Sequence, residues 1–127
     1  MKAVLDASAL LAFLQDEPGA DHVREVLEDA VISAVNWSEV LQKSMRRHVE
    51  TVGMREEFAG LGLVVEPFSP EQAEIAARLW EITKQSGLSL ADRACLSLAL
   101  ERKAPVFTAD RAWLSVGLEL DIRLIRG

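Results

Sequence analysis

Four acidic residues stand where their neighbours would not predict a charge. Asp6 lies in "VLDASALLAFL", Glu39 in "ISAVNWSEVL", Asp92 in "LSLADRACLSLAL" and Asp110 in "PVFTADRAW". Asp6 sits within an uncharged, mostly apolar run, and Asp92 has apolar residues on both sides beyond the adjoining Arg93. An ionised carboxylate in such a setting is costly unless something partners its charge. Several together repel, and some take up protons unless a cation neutralises them. Carboxylate oxygens suit a hard divalent cation, Mg2+ or Mn2+, which keeps several waters. The chain has one Cys and two His, so it carries no Cys/His set for zinc. A carboxylate-held metal polarises a phosphoryl oxygen, activates water and steadies a leaving oxygen, which is the chemistry of a nuclease or a phosphatase.

These acids are useful together only if the fold gathers them. "KAVLD", "AVISAV", "LVVE", "APVFTAD" and "IRLI" read as five short apolar strands. Helices are expected from Ser8 to Gln15, Asp21 to Asp29, Asn36 to His48, between Gly53 and Gly62, from Ser69 to Gln85, and from Ser89 to Lys103. A short helix follows at Arg111 to Leu114. In the Ser69 helix a stripe of Ala73, Ala76, Ala77 and Trp80 has helical period. Apolar strands alternating with helices predict an α/β fold with a parallel sheet covered on both faces. Such sheets bind ligands beyond the carboxyl ends of their strands. Asp6 ends the first strand, Glu39 follows the second and Asp110 the fourth. Asp92 opens the helix that runs back into the fourth strand, so it reaches the same edge.

Taken singly, each acid has a plainer reading. Acids favour helix N-termini, where free N–H groups and the helix dipole stabilise negative charge. Asp6 and Asp110 fit as N-caps, and Asn36-Trp37-Ser38-Glu39 and Ser89-Leu90-Ala91-Asp92 as capping boxes. Capping alone does not require apolar residues around the acid, and the four-membered pattern favours a metal.

The four quoted segments, in this order and spacing, resemble a PIN domain, and specifically a VapC-type toxin ribonuclease. The resemblance covers residues 1–127 as a single PIN domain. It implies a three-layer α/β/α sandwich with a parallel sheet in strand order 3-2-1-4-5. It implies Mg2+-dependent or Mn2+-dependent cleavage of RNA, a homodimer, and inhibition by a VapB-type antitoxin encoded beside it. The family's acids map onto Asp6, Glu39, Asp92 and Asp110, with Asp110 the ligand that varies in the family. Ser8 and Thr108 occupy positions of polar groups near the acids.

Outside the acid set, "KSMRRH" is the densest basic stretch. Lys43 and Arg46 share a helix face with Glu39 and are candidates for guiding phosphates. Arg93 and Arg111 each follow a candidate ligand and are candidates for substrate contact. A solvated helix face explains the basic stretch as well. His22 and His48 match no catalytic constellation. Trp37, Trp80 and Trp113 read as packing groups, and Cys95 as a small core residue.

A formal charge of −6 argues against broad charge-driven binding to nucleic acid or an anionic membrane. The lone Cys excludes an intrachain disulfide, and no apolar stretch has the length of a membrane span. The expectation is a cytoplasmic protein without a membrane segment. A phosphatase with a nucleophilic Asp needs a second acid two residues on, where this chain has Ser8. A phosphoacceptor module needs a lysine after a late strand, which "PVFTAD" does not offer. A catalytically degenerate PIN-like binding domain stays open.

Overall fold

The apolar runs form strands short enough to be buried along most of their length. The computed structural model describes residues 2–127. Strands β1 (Ala3–Leu5), β2 (Ala30–Ser33), β3 (Val64–Glu66), β4 (Val106–Thr108) and β5 (Ile122–Leu124) form one all-parallel sheet in the order β3-β2-β1-β4-β5. β1 is the central strand, with Leu5 level with Ile32 of β2 and Phe107 of β4.

Alternation along each strand divides the core in two. Ala3, Leu5, Ile32 and Phe107 face a cluster closed by α1 (Ala7–Leu14), α2 (Ala20–Val26), α3 (Ala34–Arg46) and α4 (Met54–Gly60). Val4, Val31 and Val106 face the opposite cluster, closed by α5 (Pro70–Thr83), α6 (Leu90–Arg102) and Trp113. This is the expected three-layer sandwich. Trp37 stands edge-on to Phe58 at 5.9 Å within the first cluster. Cys95 is buried in the second.

Three local expectations are corrected. Helix α3 starts at Ala34, not Asn36, because the Ser33 hydroxyl accepts from the Val35 N–H and caps it. Ala34 and Val35 extend the apolar run of β2, which hides the boundary, and Glu39 falls in the second helical turn, outside any capping box. The buried face of α5 is Gln72, Ala76, Leu79 and Thr83 rather than the stripe through Ala73, Ala77 and Trp80. It is displaced by one residue, about 100° of helix rotation. Gln72 stays inside because its amide donates to Glu101, and Thr83 because its hydroxyl donates to the Leu79 carbonyl. Trp80 is therefore 48% exposed, with the Lys84 ammonium 5.0 Å from its ring centroid. Finally, His48 lies beyond α3 with φ 61°, outside the helix.

Gly19 permits a close approach beside the site. Gly19 has φ +98°, and a Cβ there would lie 2.7 Å from the Ile125 carbonyl oxygen. The segment after β5 can therefore lie against the turn between α1 and α2.

Candidate active site

Asp6 follows β1 directly and caps α1: its Oδ1 accepts from the Ala9 N–H at 2.8 Å. The Thr108 hydroxyl, at the end of the neighbouring β4, donates to Oδ2 at 2.6 Å. Ser8 donates to both oxygens at 2.8 and 2.9 Å, and its own oxygen accepts from the Ala109 N–H. Ser8 and Thr108 thus orient Asp6, and Thr108 in turn accepts from the Asp110 N–H. With 5% exposure, Asp6 loses more by desolvation than these donors return, and its pKa is pushed up to about 6. The nearby Asp92 charge pushes the same way.

Asp92 sits in the first turn of α6 in a reciprocal capping box with Ser89, at 3.0 and 3.1 Å. Asp110 accepts from the Ala112 N–H at 2.9 Å and caps the 3-10 helix at Arg111–Ser115. Three of the four acids are therefore helix caps as well. Asp6 accepts at both oxygens, Asp92 and Asp110 at the capping oxygen, and all three line a common recess.

That recess, about 140 Å³, is lined by Asp6, Ser8, Asn36, Glu39, Lys43, Asp92 and Asp110, with Ala7. The structure thus brings together all four predicted acids and one cation, Lys43. Their joint field reaches Cys95, whose thiol is pushed well up by burial and by Asp6, Asp92 and Glu39. Asn36 carries no signal at the sequence level beyond helix capping, yet it ties the recess together. Its Nδ2 donates to Glu39 Oε1 and to the Ala91 carbonyl, both at 3.1 Å, so it joins α3 to the first turn of α6. Its Oδ1 is buried without a hydrogen-bond partner among the described residues.

Other predicted site residues lie elsewhere. Arg93 turns toward α5 and donates to the Ala76 carbonyl at 2.8 Å, so it does not join the recess. Arg111 reaches the Gly127 carbonyl at 3.2 Å on the surface. Arg46 lines an adjoining basic cavity rather than the recess, with Arg47 and Arg126. Arg126 is invisible to local pattern because helix periodicity cannot join the end of the chain to α3.

The donor set fits a hard divalent ion: four carboxylates and the orphaned Asn36 Oδ1 supply oxygen alone. Among the described residues no three acidic, His or Cys side chains are already gathered tightly enough to hold an ion. An ion bound here must keep water in part of its shell, as Mg2+ does.

The family profile described as the PIN domain matches residues 3–118, and the chain belongs to that family. No curated protein matches it significantly. Solved structures with a similar fold include a toxin-antitoxin complex from Klebsiella pneumoniae, 19% identical over 97% of each chain with TM-score 0.74. DNA-bound VapBC from Salmonella typhimurium is 15% identical over 98% of each chain, with TM-score 0.73. The sarcin-ricin loop cleaving toxin VapC20 of Mycobacterium tuberculosis is 13% identical over 95% of this chain and 98% of its own, with TM-score 0.74. Among the described residues no helix is long and apolar enough to cross a membrane.

Proposed function

We propose that this chain is a divalent-cation-dependent endoribonuclease and the toxin of a toxin-antitoxin pair, restrained by a small VapB-type antitoxin and acting as a homodimer. The observation that carries the reading is the convergence of Asp6, Glu39, Asp92 and Asp110, from four separate parts of the chain, on one recess. Membership of the PIN family and the likeness to toxin structures support it.

Asp6, Glu39 and Asp92 would hold Mg2+ or Mn2+, directly or through water, with Asp110 completing the set. When bound, the cation supplies charge stabilisation at the phosphodiester and makes water a better nucleophile at neutral pH. The protein's own part is placement. Ser8 and Thr108 fix the Asp6 carboxylate, Asn36 sets Glu39 against α6, and Lys43 brings positive charge to the rim. Among the described residues no His lines the recess, so a proton leaving the attacking water would pass to one of its carboxylates.

The test is cleavage of a mixed RNA pool by purified protein with and without Mg2+ or Mn2+, alongside Asp6→Asn and Asp92→Asn. Cation-dependent cleavage that disappears in both folded variants is the expected result. Cleavage that persists in chelator, or in both variants, removes the metal-site reading.

A further inference from the structure

Beside the acid recess lies a second cavity of opposite charge, about 320 Å³, that shares Ser8 and Lys43 with it. Lys43, Arg46 and Arg47 come from the end of α3, where the helix dipole favours cations. That effect does not account for Arg126, which arrives from the far end of the chain. Gly19 allows the segment after β5 to lie close, and Arg126 then donates to the Pro18 carbonyl at 3.0 Å and pairs with Glu17 at 3.5 Å. Arg47 donates to Gln15 at 3.2 Å. Two guanidinium groups are thus held by neighbours on the α1 side, while Lys43 and Arg46 have no ion pair among the described residues. Among the described residues Glu17 is the one carboxylate lining the cavity. Such a concentration of cations is notable in a chain of formal charge −6.

We propose that the cavity lined by Ser8, Leu11, Lys43, Arg46, Arg47 and Arg126 is a subsite for the phosphodiester next to the scissile one in single-stranded RNA. The inference rests on the ribonuclease reading and extends it to how the strand is held. A polymer with one charge per nucleotide can place one phosphate at the acids and the next at the cations, across the shared Ser8 and Lys43. Adjoining concave recesses suit one flexible backbone rather than a duplex. Arg47 and Arg126 can present planar donor pairs to phosphate oxygens. The subsite accounts for RNA binding by an acidic protein, because the charge that matters is local.

The experiment compares wild type, Arg47→Gln, Arg126→Gln and the double variant on a short fluorescent single-stranded RNA and on a minimal phosphodiester with no flanking nucleotide. For RNA, each single variant is expected to raise KM about 5-fold to 10-fold with kcat within about 2-fold. The slope of log KM against log salt should fall by about 0.7 for each phosphate that the variant no longer neutralises. Hydrolysis of the minimal substrate should not change. Normal RNA kinetics in the double variant overturn the subsite and leave the ribonuclease reading intact. Equal loss on both substrates overturns it too, by showing a structural role. Weakened binding of a purified antitoxin with unchanged KM for RNA assigns the cavity to a protein partner and also overturns it. A wild type that neither binds nor cleaves RNA removes both readings.

Discussion

The acid recess and the basic cavity share two residues yet are built by different means. Each carboxylate sits at the end of a strand or in the first two turns of a helix, and three are pinned by backbone N–H groups at 2.8 to 3.0 Å. The cations stand on long side chains at the end of α3 and in the last residues of the chain, held by other side chains or exposed. Groups that must share an ion need placement to a fraction of an ångström, which backbone supplies. Groups that hold a flexible polyanion need charge and reach, which Lys and Arg supply.

This contrast orders the expected effects of substitution. The largest belong to the acids. Asp6→Asn and Asp92→Asn should each reduce RNA cleavage by more than the roughly 100-fold that loss of an outer-shell partner costs. Circular dichroism and thermal melts should show a retained fold, since Asn is also a good N-cap at position 6 and its amide oxygen can still accept from the Ser89 N–H at position 92.

Next comes the cost of the buried charge itself. Asp6 has a folded pKa of about 6 against an ordinary 3.8. A pKa raised by folding means that stability is fully present below the unfolded value and is lost as pH rises through the folded one. In chelator, unfolding free energy should therefore fall by about 3 kcal/mol as pH rises from roughly 4 to beyond 6, from this group alone. Denaturant titrations across that range check it. Asp6→Asn should flatten the profile and be the more stable protein at pH 8 without metal, and added Mn2+ should narrow that gap. A wild type that gains stability over the same range would show that Asp6 is not destabilised by burial.

The two hydroxyls that orient Asp6 come third. Thr108→Val and Ser8→Ala should each weaken Mn2+ affinity and cleavage by about 10-fold to 100-fold, read by calorimetry and kinetics together. The smallest change is expected at Arg46. Arg46→Gln should raise KM for RNA only a few fold, because its side chain is exposed and has no ion pair among the described residues. If Arg46→Gln lowered kcat as deeply as Asp92→Asn, the division between placement and charge would collapse.

Much of this geometry is written in local pattern. Strand runs, helix caps and the convergence of Asp6, Glu39, Asp92 and Asp110 follow from apolar runs and from the direction of a parallel sheet. The strand order comes from likeness to a family, because spacing alone does not order strands. Where pattern misleads, a polar group is using a partner that apolar periodicity does not register. Gln72 and Thr83 turn the buried face of α5 because each finds an acceptor, while Ala73 and Ala77 are equally acceptable outside. Asn36 reads as a cap, and its link from Glu39 to the Ala91 carbonyl requires α6, 55 residues away in sequence. The same limit hides Arg126, whose partners Glu17 and Pro18 are more than a hundred residues upstream.

Cys95 lies beneath the recess as the chain's one thiol, fully shielded and held protonated by burial and by the acids above it. An alkylating reagent reacts with thiolate, so native molecules should be nearly inert and only molecules that have opened around α6 should be labelled. The labelling rate is thus a native clock for local opening. It needs no introduced probe, and a cation that drew Asp92 and Asp6 together should slow it.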